Sequence, residues 1–106
     1  MAVVIGNAFS INMLSKAIHE VAFAPVSVEQ VKALITETFT SCVGHPDTAR
    51  VMSSILGVEI PMNRVSYVFG ENDILIVGQY TGPRLSEGAS QLPEGATITW
   101  WKVNHK

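Results

Sequence analysis

A chain of 106 residues, 47% hydrophobic and 15% charged, holds enough apolar material for one compact core and too little charge for a disordered polymer. Its formal net charge is −2, and its seven Lys and Arg residues are scattered, so it lacks the basic face of a protein that tracks long nucleic acid. No apolar run approaches the roughly 18–20 residues of a membrane span, and Met1–Gly6 lacks the basic start of a secretory signal. We therefore expect one soluble, cytoplasmic domain over residues 1–106.

Ala2–Ile5 is a short apolar run that reads as a buried strand, and Asn7–Leu14 follows as a turn in which Ser10 can cap a single helical turn. Ala17–Ala24 alternates loosely and predicts a second strand, which Pro25 should end. Ser27 and Gln30 have the form of a capping box. Val28, Val31, Leu34 and Ile35 then recur at helical spacing, predicting a helix over 28–37. Phe39–Val43 reads as a strand and Gly44–Thr48 as a break. Pro46 suits the first turn of a second helix, whose apolar stripe is Val51, Met52, Ile55 and Leu56 and whose stop is Gly57. Val65–Phe69 and Ile74–Gln79 flank Gly70-Glu71-Asn72-Asp73 and predict a hairpin. Residues 81–96 form a long Gly-, Pro- and Ser-rich loop, a kind often functional, and Ala96–Val103 closes the chain as a strand. The fold class is α/β: one mixed sheet of about five strands flanked by two main helices.

Three places can carry chemistry. Gly44-His45-Pro46 sets a histidine at a strand end, beside the free N–H groups of a helix's first turn, where phosphate is favoured and Thr48 adds a hydroxyl. An imidazole there, beside a bound phosphate, can serve as an acid near neutral pH; the plainer reading is a histidine that only caps the helix. Asn7-Ala8-Phe9-Ser10-Ile11-Asn12 follows the first strand, where ligands of parallel sheets gather, though Asn and Ser also simply favour turns. Arg84 and Glu87 stand three apart in the long loop and can share a ligand, or form a solvated ion pair; Arg64 has the same two readings. His19, His45 and His105 show no metal-ligand spacing. The single cysteine, Cys42, excludes an intrachain disulfide and reads as core. Of Trp100 and Trp101, one should be buried and one exposed; the pair can serve as a base-stacking platform, the plainer reading being core or dimer packing.

Taken together, these residues resemble the viral and prokaryotic ring nucleases, the type III anti-CRISPR proteins. The resemblance rests on Asn7-Ala8-Phe9-Ser10-Ile11-Asn12-Met13-Leu14 after the first strand, then Gly44-His45 with Thr48, Asn63-Arg64 and Arg84-Leu85-Ser86-Glu87-Gly88, in that order. It implies a homodimer that binds cyclic tetra-adenylate, a second messenger of type III CRISPR defence. It further implies that the ring is cut without metal or cofactor to linear di-adenylates with 2′,3′-cyclic phosphate ends. By that resemblance His45 protonates the leaving oxygen, Arg84 stabilises charge on the phosphate and Glu87 orders the site. Asn7, Ala8, Phe9, Ser10 and Asn12, with Gly44, Thr48, Arg64 and Gln79, hold the ring. Gln79 stands five residues before Arg84, one more than the family spacing, and Ser86 stands where relatives often carry an acid. Two other functions suit the same fold: a protein that binds the ring without cutting it, and a viral protein that binds a protein partner.

Overall fold

The computed structural model describes residues 2–16, 20–68, 70 and 72–105. Strand β1 (Val3–Gly6) leads through a single 3₁₀ turn (Ile11–Met13) to β2 (Val21–Val26), helix α1 (Val28–Leu34), β3 (Thr40–Ser41), helix α2 (Pro46–Leu56), β4 (Ile74–Thr81) and β5 (Thr97–His105). The five strands make one mixed sheet in the order β2-β5-β4-β1-β3, with β1 parallel to both β3 and β4 and the remaining pairs antiparallel. Because β1 lies between two parallel neighbours, the carboxyl ends of β1, β3 and β4 meet at one edge of the sheet. This is where ligands of such sheets bind.

The helix signals act as expected. The Ser27 hydroxyl accepts from the Gln30 N–H at 3.1 Å while the Gln30 side chain accepts from the Ser27 N–H at 2.8 Å, closing the capping box of α1. Pro46 opens α2, and Gly57 ends it in the left-handed conformation. Both helices pack on the same face of the sheet. There Val31 and Ile35 from α1, Met52 and Leu56 from α2, and Ile5, Ile76 and Trp100 from the strands form the main core. The opposite face carries Val4, Leu75, Val77 and Val103, and among the described residues the 3₁₀ turn and loops pack against it through Phe9, Met13, Leu14 and Tyr67. Alternation along β5 sends Trp100 into the helix-covered core and leaves Trp101, half-buried, on the opposite face.

Several boundaries differ from expectation, by one or two residues at the ends of β1, β4 and β5 and by more elsewhere. Pro25 does not end β2; it lies inside it, paired opposite Trp101. This is tolerated because β2 is an edge strand, which can spare one N–H. Ala17, Ile18 and His19, the start of the predicted strand, lie outside the described residues. Helix α1 stops at Leu34 with Ile35 as its cap residue, and β3 shrinks to Thr40–Ser41. The predicted hairpin over Val65–Phe69 and Ile74–Gln79 is not formed: residues 65–68 are not a strand, and Phe69 and Glu71 lie outside the described residues. Both sides of β4 are already occupied, by β1 and by β5. Residues near 63 are instead stitched to the β3 region, where the Asn63 N–H donates to the Val43 carbonyl at 2.8 Å and the Asn63 amide donates to the Ser41 carbonyl at 2.7 Å. The hairpin partner of β4 is β5, joined by the loop over residues 82–96.

Gly78 lies in β4 opposite Trp100, where a Cβ would stand 2.6 Å from Trp100 Cζ3 and 2.8 Å from Met52 Cε. Only glycine lets the indole and the α2 methionine close over the strand. Gly78→Ala is expected to destabilise the fold by about 1–3 kcal/mol, the usual result of overpacking. A urea midpoint equal to that of the native chain would contradict this packing.

Candidate functional site

A cavity of about 830 Å³ opens beside the carboxyl ends of β1, β3 and β4, on the face of the sheet away from the helices. Val77, Trp101 and Val103 line it from the strands, and Phe9 and Phe23 stand beside them with their rings edge to face, centroids 5.3 Å apart at 89°. Asn7 and Gln79 contribute side-chain amides, Thr48 and Tyr80 hydroxyls, and His45 and Arg84 the basic groups. Among the described residues no carboxylate lines it. The combination of cation, amide and four aromatic rings suits a small anionic ligand with flat, hydrogen-bonding parts.

Local structure explains why these groups meet. Asn7 follows β1, and its Oδ1 accepts from the Gly44 N–H at 3.3 Å, drawing the segment after β3 toward the end of β1. The Asn7 amide nitrogen has no partner among the described residues. His45 occupies the N-cap position of α2 but makes no capping hydrogen bond through its side chain. The exposed imidazole therefore lines the cavity uncommitted to the helix. Thr48, buried in the first turn of the same helix, lines the cavity beside it.

Seven of the twelve expected site residues line this one cavity: Asn7, Ala8, Phe9, His45, Thr48, Gln79 and Arg84. Gly44 joins through its bond to Asn7, and Arg64 lies against Gly44, its Cγ 3.4 Å from where a Cβ there would stand. Ser10, Asn12 and Glu87 are not in the lining. The Ser10 hydroxyl caps the 3₁₀ turn, accepting from the Asn12 N–H at 3.3 Å. Glu87 is exposed in the loop and forms no ion pair with Arg84.

Several residues at or beside the cavity went unread in the sequence. Phe23 and Tyr80 line it, and Trp101 lines it too, where core or dimer packing is the plainer expectation and base stacking the other. Asp47, buried in the first turn of α2, accepts from Arg50 Nη2 at 2.6 Å and from the Gly88 N–H at 3.0 Å. The only signal for that pair was its helical spacing of three. Cys42 packs beneath the sheet, as expected, and burial pushes its thiol above the ordinary range, so it is held as a neutral group. Among the described residues no three His, Cys, Asp or Glu side chains gather as a metal site would require.

Two carboxyls are held below the usual carboxylate range. For Asp47 the causes are the bond from Arg50 and then that from the Gly88 N–H. For Asp73 burial works the other way, but the Gly70 N–H, the Tyr67 hydroxyl and the Ala2 N–H outweigh it. The Tyr67 hydroxyl, donating to Asp73 at 2.9 Å, is pushed up to about 12 by burial and by that bond. A lowered carboxyl gives stability that is present above its unfolded value of about 3.9 and lost as pH falls through the folded one; a raised tyrosine gives stability that is present below about 10 and lost as pH rises through the folded one. Asp73→Asn should thus flatten the acid limb of urea stability against pH, and Tyr67→Phe the alkaline limb between about 10 and 12. Limbs unchanged from those of the native chain would contradict the pairing.

A sequence model described as STIV B116-like matches residues 3–98. The chain is 40% identical over 52 residues to "Uncharacterized protein 26" of Sulfolobus islandicus filamentous virus (isolate Iceland/Hveragerdi), a match covering 48% of this chain and 44% of that one. It is 36% identical over 66 residues to "Uncharacterized protein ORF117" of Acidianus two-tailed virus, covering 59% of this chain and 56% of that one. The chain thus spans about half the length of the curated relatives it matches. The solved structure of B116 of Sulfolobus turreted icosahedral virus superposes with a TM-score of 0.81 at 25% identity, covering 99% of this chain and 100% of that one.

Proposed function

This chain belongs to the STIV B116-like family of archaeal-virus proteins, and from that premise we propose that its cavity binds cyclic tetra-adenylate and cuts the ring without a metal. The observation that carries the reading is the make-up of the lining. His45 and Arg84 stand among side-chain amides and four aromatic rings, and among the described residues no carboxylate is there to repel a phosphate. Phosphates meet the basic groups, adenines stack on the rings, and amides reach the base and ribose edges.

In the proposed reaction a ribose 2′-oxygen attacks the adjacent phosphorus and its proton passes to solvent. The bond from phosphorus to the 5′-oxygen breaks, and His45 gives that oxygen a proton, leaving a 2′,3′-cyclic phosphate and a 5′-hydroxyl. Arg84 balances the charge that builds on the phosphoryl oxygens. The chemistry calls on no cofactor. The products are linear di-adenylates when the ring is cut at two opposite bonds, and the loss of the ring as a signal would silence type III CRISPR defence.

The ring has two-fold symmetry, which a C2 pair of chains shares. Among the described residues one chain offers the cavity His45 and Arg84 as basic groups; two chains on one axis offer four, matching the four phosphates and explaining how a chain of net charge −2 would hold such an anion. We therefore assign the active form as a homodimer. Native mass spectrometry with the ring bound tests this, and mass analysis of the products tests the chemistry. Two chains per ring and cyclic-phosphate ends are expected. A ring that stays bound and intact would make the protein a sponge, and a ring that is not bound would return the cavity to a protein partner or another ligand.

A further inference from the structure

Arg84 is exposed and, among the described residues, makes no hydrogen bond of its own, so its position depends on how its loop is held. The loop is anchored on both sides of it. Before it, the Tyr80 hydroxyl donates to the Pro83 carbonyl. After it, the Gly88 N–H donates to Asp47 Oδ1 at 3.0 Å and the Ala89 carbonyl accepts from Arg50 Nε at 3.3 Å. Only residues 84–87 lie between the anchors.

The second anchor is built on the helix turn that serves the cavity. Asp47 stands between His45 and Thr48 in chain order, two residues from the first and one from the second, and both of those line the cavity while Asp47 does not. The residue is 8% exposed, and its carboxylate accepts from Arg50 Nη2 at 2.6 Å. An ion pair of this spacing on a helix surface would contribute little. Here the same two side chains also take up one N–H and one carbonyl of neighbouring loop residues, 41 and 39 positions away in sequence.

We infer that Asp47 and Arg50 form a clasp that fixes the Arg84 loop to the helix turn carrying His45, so that both are positioning residues acting through Arg84. A loop held at two points gives up its freedom before the ligand arrives, and the order it imposes on Arg84 need not be bought from binding. The role in cleavage rests on the ring-nuclease reading; the anchoring of the loop does not.

The test joins amide exchange at Gly88 with single-turnover cleavage of cyclic tetra-adenylate, in native chain and in an Arg84→Ala background. Asp47→Ala is expected to speed Gly88 exchange about tenfold or more and to slow cleavage about tenfold, as for loss of one charged hydrogen bond. Arg50→Ala, a change at a side chain 48% exposed that leaves the core intact, should act in the same direction. In the Arg84→Ala background neither change should slow cleavage further, because residues acting through one another are not additive. Unchanged Gly88 exchange in both variants overturns the clasp, and an equal further loss in the Arg84→Ala background overturns its action through Arg84. If the native chain does not cut the ring, the ring-nuclease reading fails, and Gly88 exchange still decides whether the clasp exists.

Discussion

His45→Ala is expected to slow cleavage of cyclic tetra-adenylate by about 10²–10⁴-fold and to leave the affinity for the ring within a few-fold, as for loss of a general acid. A departing 5′-oxygen is a poor leaving group unless it is protonated as the bond breaks. His45 is the group that the fold leaves free for this. It sits where β3 gives way to α2, lines the cavity, and spends no side-chain hydrogen bond on capping the helix. Were it a structural cap, alanine there would cost about 1 kcal/mol of stability and leave the rate alone. A melting curve beside the single-turnover rate separates the two roles: an unchanged melt with a collapsed rate assigns the acid, whereas a lowered melt with the native rate makes His45 a cap.

Arg84→Ala is expected to impair both steps, weakening the ring's affinity about tenfold and lowering the single-turnover rate by about 10²–10³-fold. Among the described residues Arg84 is the one arginine in the cavity lining, and no carboxylate there competes for it. In the proposed reaction it would therefore meet phosphate charge in the ground state and more of that charge in the transition state. Arg84→Lys should keep part of the affinity but recover less of the rate, since a lysine lacks the two-pronged geometry. Affinity from titration and rate from single turnover give the two numbers; native values for both in Arg84→Ala would make the arginine a solvated surface residue.

Local signals carried the helices. Ser27 and Gln30, Pro46 and Gly57 each work through neighbours within one turn, and each stands where expected. The strands were legible only in part because their bounds depend on partners far along the chain. Pro25 is tolerated because β2 is at the edge, and 65–68 is no strand because β1 and β5 already pair with β4. The site divides in the same way. Asn7, His45 and Thr48 were legible because they follow strands whose carboxyl ends meet at one sheet edge. Phe23 and Tyr80 were not, and Trp101 was legible only as one of two alternatives: which side of the sheet a strand residue faces depends on register, and Phe23 reaches the cavity beside Val103 only through the β2–β5 pairing. Ser10 and Asn12 matched the resemblance by position, yet the 3₁₀ turn takes up the Ser10 hydroxyl. Asp47 was hidden because its partner, Gly88, is 41 residues away.

The most direct test of the central claim is a single-turnover assay with the native protein in excess over labelled cyclic tetra-adenylate, chelator present throughout. Conversion of the ring to linear di-adenylates ending in 2′,3′-cyclic phosphate, at a rate the chelator does not change, is the predicted result. A ring recovered intact after prolonged incubation, or cleavage that the chelator abolishes, would contradict the claim that this cavity is a metal-independent ring nuclease.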